Sequence, residues 1–132
     1  MKPSVLFACV HNAGRSQMAA GFMRHLSDGA VDVFSGGSNP GDRVNPSAVA
    51  AMAEIGIDIS EAVPQKWSNE EVEAADVVVT MGCGDECPYY PGTRYEDWVI
   101  EDPHGQGVEA VRPIRDEIKG RVETLLAELV AR

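Results

Sequence analysis

Apolar and polar positions alternate along this chain between two periods, one short and β-branched, the other helical. Val5-Leu6-Phe7-Ala8 is an unbroken apolar run and predicts a first strand. From Gly14 to Leu26, Ala19, Phe22, Met23 and Leu26 fall at i, i+3, i+4 and i+7, the single face of a helix. Val31–Phe34 predicts a second strand, closed by Ser35-Gly36-Gly37. Asn45-Pro46 pairs a capping residue with a proline at the first helical position, and Gly56 ends the helix that follows. Ser68-x-x-Glu71 has the form of a capping box for a short helix to about Ala75. Val77-Val78-Val79-Thr80 predicts a buried parallel strand, and a fourth strand is expected near Arg94–Val99. The last helix is the clearest: Val111, Ile114, Ile118, Val122, Leu125 and Leu129 repeat at spacings of 3, 4, 4, 3 and 4. Pro113 then has to lie in or near its first turn, or bend it.

Strands alternating with helices predict a single α/β domain over residues 1–132, a four-stranded parallel sheet flanked by helices. In such sheets ligands bind beyond the carboxyl ends of the strands. Cys9, Gly82-Cys83 and Glu101-Asp102 each follow a predicted strand directly, so three chemistry-bearing segments are expected to meet at one edge.

Composition narrows the partners. The chain carries 21 acidic and 11 basic residues, a net charge of −10. That argues against nucleic acid and against an anionic membrane surface as partners, and any anion site has to be built locally. No run approaches the ~20 apolar residues of a membrane span, no signal peptide is expected, and the expected location is the cytoplasm. Three cysteines, an odd number, read as chemistry or redox switching rather than scaffolding.

The segment Cys9-Val10-His11-Asn12-Ala13-Gly14-Arg15-Ser16 joins the first strand to the first helix. A loop of this length can curl with its backbone N–H groups inward, and it ends where a helix dipole favours an anion. Arg15 adds a planar fork matching two oxygens of a tetrahedral oxyanion. The same field favours the thiolate of Cys9, with Ser16 and Asn12 placed to bond the sulfur or hold the loop. The stretch reads as a nucleophilic thiolate beneath a bound oxyanion. The plainer alternative is a buried cysteine at a strand end beside a surface arginine.

Cys9-x-x-Asn12-x-x-Arg15-Ser16 resembles the phosphate-binding loop of low-molecular-weight protein tyrosine phosphatases and of the arsenate reductases that share their fold. The likeness extends through Arg15-Ser16-Gln17-Met18-Ala19, Gly56-Ile57-Asp58-Ile59-Ser60 and Asp102-Pro103. It implies that Cys9 is the nucleophile, that residues 10–16 cradle arsenate or phosphate, and that Asp102 is the general acid. The other reading of Asp102 is a helix cap.

Two features separate the branches of this family. Cys83 and Cys87 lie four apart in Met81–Gly92, a segment rich in glycine and proline. This resembles the thioredoxin-coupled arsenate reductases and implies a relay ending in a Cys83–Cys87 disulfide. Structural thiols, or half of a zinc site, are the alternatives. There is no second cysteine pair, and His11, His25 and His104 have no ligand spacing, so no metal site and no bound cofactor is expected. After Asp102-Pro103 come His104-Gly105-Gln106-Gly107, where the phosphatases usually carry aromatic residues, and a small-residue rim suits a small inorganic anion. Ala20 stands where some thioredoxin-coupled members carry a potassium-binding glutamate, so no such site is expected.

The resemblance therefore implies an arsenate reductase acting in arsenic detoxification and recycled by thioredoxin. The Glu-Asp-Pro and Gly-Gln-Gly pattern also resembles mycothiol-dependent reductases, which leaves mycothiol with mycoredoxin as an alternative reductant. A tyrosine phosphatase, and a non-catalytic oxyanion-responsive redox sensor, are the other readings. Trp67 and Trp98 are expected in packing, and Glu70–Glu73 on a solvated helix face.

Overall fold

The computed structural model of the chain describes residues 2–81, 93–102 and 105–130. The elements run β1 (Ser4–Cys9), α1 (Arg15–Ser27), β2 (Asp32–Gly37), α2 (Pro46–Ala53), α3 (Asn69–Ala74), β3 (Val77–Thr80), β4 (Arg94–Asp97) and α4 (Val108–Val130). The strands form one parallel sheet in the order β2-β1-β3-β4. Its register aligns the carboxyl ends: Cys9 lies beside Gly37, Ala8 beside Thr80, and Thr80 beside Asp97.

Alternation along β1 explains why its apolar run has no polar break. Val5, Phe7 and Cys9 face the large core shared with α1, α2 and α4, whereas Leu6 and Ala8 face a smaller cluster with Trp67, Val72 and Ala75. Both faces are covered, so both sets of positions are apolar. Every position of the predicted α4 stripe is buried. That helix starts at Val108, which places Pro113 in its second turn, where the carbonyl of Glu109 loses its usual N–H partner. Trp67 and Trp98 are both buried, and Trp98 stacks at a tilt on Phe7 with ring centroids 5.9 Å apart.

The glycines of β2 are a correction to the sequence expectation. Ser35-Gly36-Gly37 does not close the strand; the strand runs through it. A Cβ on Gly36 would lie 2.5 Å from the Trp67 nitrogen, and one on Gly37 would lie 2.5 Å from the Val10 carbonyl. Here glycine marks close approach of another backbone rather than a turn. β4 is shorter than expected, ending at Asp97. The α3 capping box is present in both directions, Ser68 Oγ with the Glu71 N–H and Glu71 Oε1 with the Ser68 N–H.

Glu54, just past α2, ties that helix to α4. Arg112 donates to its carboxylate from Nε and Nη2, the shortest contact 2.6 Å, and Arg115 Nη1 donates at 2.8 Å and also to the Ala51 carbonyl. The Arg112 hydrogen bonds, then those of Arg115, lower the Glu54 carboxyl to about 2. A carboxyl depressed by folding stabilises the fold above its ordinary titration range and loses that contribution as pH falls through its folded value. Glu54→Gln is therefore expected to lower Tm at neutral pH, with the gap to the native chain closing between about pH 5 and pH 2. A gap that stays constant in thermal melts across that window would show that the carboxylate's charge contributes nothing.

Candidate active site

The register delivers Cys9 to the carboxyl edge of the sheet, 2% exposed, and the chain then turns through residues 10–14 into α1. What shapes this loop is the fate of its carbonyls. Cys9 O accepts from Ser38 N at 3.2 Å, Val10 O from Asn39 N at 2.8 Å, His11 O from Gly41 N at 2.9 Å and Ala13 O from Asn45 N at 2.7 Å. Asn12 O accepts from Gln17 Nε2 at 3.0 Å, and Gly14 O from Met18 N at 2.9 Å. Every carbonyl from Cys9 to Gly14 is thus held by a donor, four of them by residues 38–45.

In a trans peptide the C=O and the next N–H point in opposite directions. The Val10, His11 and Ala13 carbonyls, turned out toward Asn39, Gly41 and Asn45, therefore turn the following N–H groups, those of His11, Asn12 and Gly14, the other way. The one at Asn12 can be followed to its target: its N–H donates to Cys9 Sγ at 3.2 Å. Asn12 adopts φ +50°, a left-handed conformation that asparagine tolerates better than most residues. The sulfur has a second polar neighbour in Ser16 Oγ at 2.9 Å, and Asn12 Nδ2 donates to that hydroxyl at 2.7 Å.

Arg15 opens α1 and is 7% exposed. Its Nη1 donates to the Ile100 carbonyl at 3.3 Å, and its Nη2 lies 3.5 Å from Asp102 Oδ2. The expected meeting of the first loop with the segment after β4 is thus present. Asp102 is six residues from the start of α4 and faces Arg15, so it does not cap that helix. Gln106 Nε2 donates to the Asp102 carbonyl at 3.0 Å and to Glu101 Oε2 at 3.2 Å, which ties down the backbone that carries the acid.

Cys9, His11, Ala13, Gly14, Arg15, Asn45 and Asp102 line a cavity of about 20 Å³. The cavity holds a thiol, an arginine and a half-exposed carboxyl together, the components for nucleophilic attack on a bound oxyanion with a proton supplied to the departing oxygen. A wider hollow of about 620 Å³ adjoins it, sharing His11, Ala13 and Asn45 and reaching Gly105 and Gln106. The described lining of both contains no Phe, Tyr or Trp.

Of the residues singled out in the sequence, Cys9, Asn12, Gly14, Arg15, Ser16 and Asp102 come together here, with His11 and Ala13 on the rim and the Val10 carbonyl tied to Asn39. Cys83 and Cys87 lie outside the described residues, as do Pro103 and His104. Sequence reasoning missed residues 38–45 as the outer support of the loop, because they act through backbone N–H groups that carry no side-chain signature. It also gave no role to Gln17 or Gln65, both bonded to Asn12. Among the described residues, no group of three His, Cys, Asp or Glu is placed to hold a metal ion, and no helix is long and apolar enough to cross a membrane.

Comparison with known proteins places this geometry. The chain is 42% identical over 128 residues to a putative arsenate reductase of Halobacterium salinarum, covering 92% of this chain and 89% of that protein. It is equally similar, 42% over 128 residues, to the glutaredoxin arsenate reductase of Synechocystis, covering 95% of this chain and 97% of the relative. Among solved structures, the thioredoxin-dependent arsenate reductase of Corynebacterium glutamicum superposes with a TM-score of 0.85 at 41% identity, over 97% of this chain and 62% of that one. A low molecular weight protein tyrosine phosphatase from T. tengcongensis superposes with a TM-score of 0.87 at 25% identity, over 97% of this chain and 100% of that one. The phosphatase thus shares the backbone as closely as the reductase does, and the sequence lies nearer the reductases. A family model matches residues 4–132, and the chain belongs to the low molecular weight phosphotyrosine protein phosphatase family.

Proposed function

We propose that this chain reduces arsenate to arsenite, with Cys9 as nucleophile and Cys83 and Cys87 as the thiols that carry the electrons away. The observation that carries the reading is the placement of Cys9 Sγ. It lies against the Asn12 N–H and Ser16 Oγ, at the floor of a narrow cleft walled by Arg15 and Asp102. The reductase relatives support arsenate as that ion. The rim is in keeping with it: its described lining holds no Phe, Tyr or Trp to grip a phosphotyrosine ring.

In this mechanism Arg15 and the inward N–H groups bind arsenate. The Cys9 thiolate attacks arsenic, Asp102 supplies the proton, and water leaves. Cys83 then attacks Cys9 Sγ. The S–S bond forms, the As–S bond breaks, and its electron pair stays on arsenic, which departs as arsenite. Cys87 attacks Cys83, which frees the Cys9 thiolate and leaves a Cys83–Cys87 disulfide. Two thiols are oxidised for each arsenate reduced. Thioredoxin is the external dithiol that reopens the disulfide, and the chain acts in arsenic detoxification in the cytoplasm.

Mixing fully reduced protein with arsenate, without external reductant, is expected to release about one equivalent of arsenite. Two thiols per chain disappear into Cys83–Cys87, as mapped by alkylation and mass spectrometry. Cys87→Ser is expected to stop at a Cys9–Cys83 disulfide after one turnover. Three intact thiols and no arsenite, with arsenite appearing only once a small external thiol such as mycothiol is added with mycoredoxin, would overturn the relay and make that thiol the electron donor. No arsenite, with hydrolysis of an aryl phosphate, would return the chain to phosphatase chemistry.

A further inference from the structure

Gln17 does not line the cavity and is 3% exposed, yet its amide nitrogen is committed to the loop. Its Nε2 donates to the Asn12 carbonyl at 3.0 Å and to Asn12 Oδ1 at 3.1 Å. At the third position of a helix, a glutamine commonly reaches back to accept from the capping residue's N–H. Gln17 instead donates, to Asn12 two residues before the cap, while Gly14 at the cap provides no side-chain bond. Helix stability therefore does not account for it.

We infer that Gln17 is a positioning residue for the reaction proposed above, setting the direction of the hydrogen bonds that converge on Cys9. The chain of donors is readable because one of its members is unambiguous. The backbone N–H of Gln65 donates to the same end of the Asn12 amide at 3.0 Å, and a backbone N–H is only a donor. That end is therefore oxygen, and the other end, Nδ2, faces Ser16 Oγ as a donor. Ser16 has a single proton. With Asn12 donating into its oxygen, that proton is directed at Cys9 Sγ. The sulfur then receives two donors, the Ser16 hydroxyl and the Asn12 N–H, a set that a thiolate satisfies better than a thiol.

Turning the Asn12 amide over would reverse the chain. Its oxygen would face Ser16, the Ser16 proton would go to it, and the sulfur would have to donate instead. Gln17 opposes this twice. It adds a second donor at Oδ1, and it binds the carbonyl of Asn12, a residue that is wholly buried and in the left-handed region. Gln17 thus acts on the sulfur through Asn12 and Ser16.

The test is the pH profile of Cys9 alkylation in the reduced, intact chain, followed by mass spectrometry of the peptide that carries Cys9. Gln17→Met keeps the length and apolar volume and removes the donor. Gln17→Glu sets a carboxylate against two acceptors. Both are expected to move the profile toward alkaline pH, with alkylation at neutral pH slowed about tenfold, and Gln17→Glu the more affected. In a Ser16→Ala background, Gln17→Met is expected to add a smaller shift, because only the Asn12 N–H still links it to the sulfur. Profiles that superpose on the native one while the variants remain folded by circular dichroism would overturn the inference and leave the Cys9 mechanism intact. A full additional shift in the Ser16→Ala background would overturn it too, showing a packing effect. A native profile like that of an ordinary exposed thiol would instead remove the thiolate reading on which the inference stands.

Discussion

Cys9→Ser is expected to abolish arsenate reduction, by about 10⁴-fold or more, ~5.5 kcal/mol of transition-state stabilisation, while oxyanion binding survives. The two parts of this result have separate physical causes. Binding depends on Arg15 and on the loop N–H groups, whose direction is set by carbonyls anchored on Ser38, Asn39, Gly41 and Asn45. None of these bonds involves the sulfur. A serine hydroxyl fits the same place and accepts from the same donors, so the cradle persists. Chemistry fails for two reasons. A hydroxyl does not ionise near neutral pH without a base beside it, and its described polar neighbours, Asn12 N and Ser16 Oγ, are both donors in the direction argued above. More fundamentally, oxygen cannot take the place of sulfur in the disulfide that receives the electrons, so even an arsenate ester on serine would have no route to arsenite. Isothermal titration with phosphate or arsenate, beside a single-turnover arsenite assay, checks both halves. Binding within about tenfold of the native chain with no arsenite is the expected pair. Arsenite from the serine variant would take Cys9 out of the mechanism.

Comparison of sequence and structure shows which kind of information each element needed. β1 and β3 were legible because a strand covered on both faces has no polar alternation. α4 was legible because its stripe faces one core along its whole length. β2 was not legible past Phe34. Gly36 and Gly37 are there because Trp67 and Val10 approach them, and both neighbours are remote in sequence from the strand or contact it through backbone atoms. The same division runs through the site. Cys9, Arg15 and Ser16 were read from a contiguous pattern, and Asp102 from its place after a strand. The outer support of the loop could not be read, since four N–H donors from residues 38–45 look like any turn. Gln17 had a weaker signal. It is a long polar side chain on a turn of helix where Arg15 through Met23 are all buried, and a buried polar residue on such a face calls for a partner.

Arg15→Lys is expected to lower kcat/KM for arsenate by about 10³-fold, ~4 kcal/mol, although the charge is kept. If charge alone mattered, lysine would serve, because the cavity is small and an ammonium is compact. The structure gives Arg15 more to do. One arm of its guanidinium donates to the Ile100 carbonyl and another faces Asp102 Oδ2, so the plane of the group is fixed before any ligand enters. A fixed plane presents two parallel donors to two oxygens of a tetrahedral anion, which an ammonium on a flexible stem cannot do. The fork also sets the acid. Asp102 is half-exposed, and its ion pair with Arg15 orients it toward the cavity. Lysine would bind the anion as a point charge, release Asp102 from its place and leave the buried end of the chain at Ile100 without its side-chain donor. Loss should therefore appear in both constants. KM rises through the missing second donor, and kcat falls through the misplaced acid. Steady-state arsenate kinetics with thioredoxin in excess separates the two. A rise in KM at unchanged kcat would confine Arg15 to binding and detach Asp102 from it. Near-native values of both would show that a positive charge at this position suffices and that the fork geometry contributes nothing.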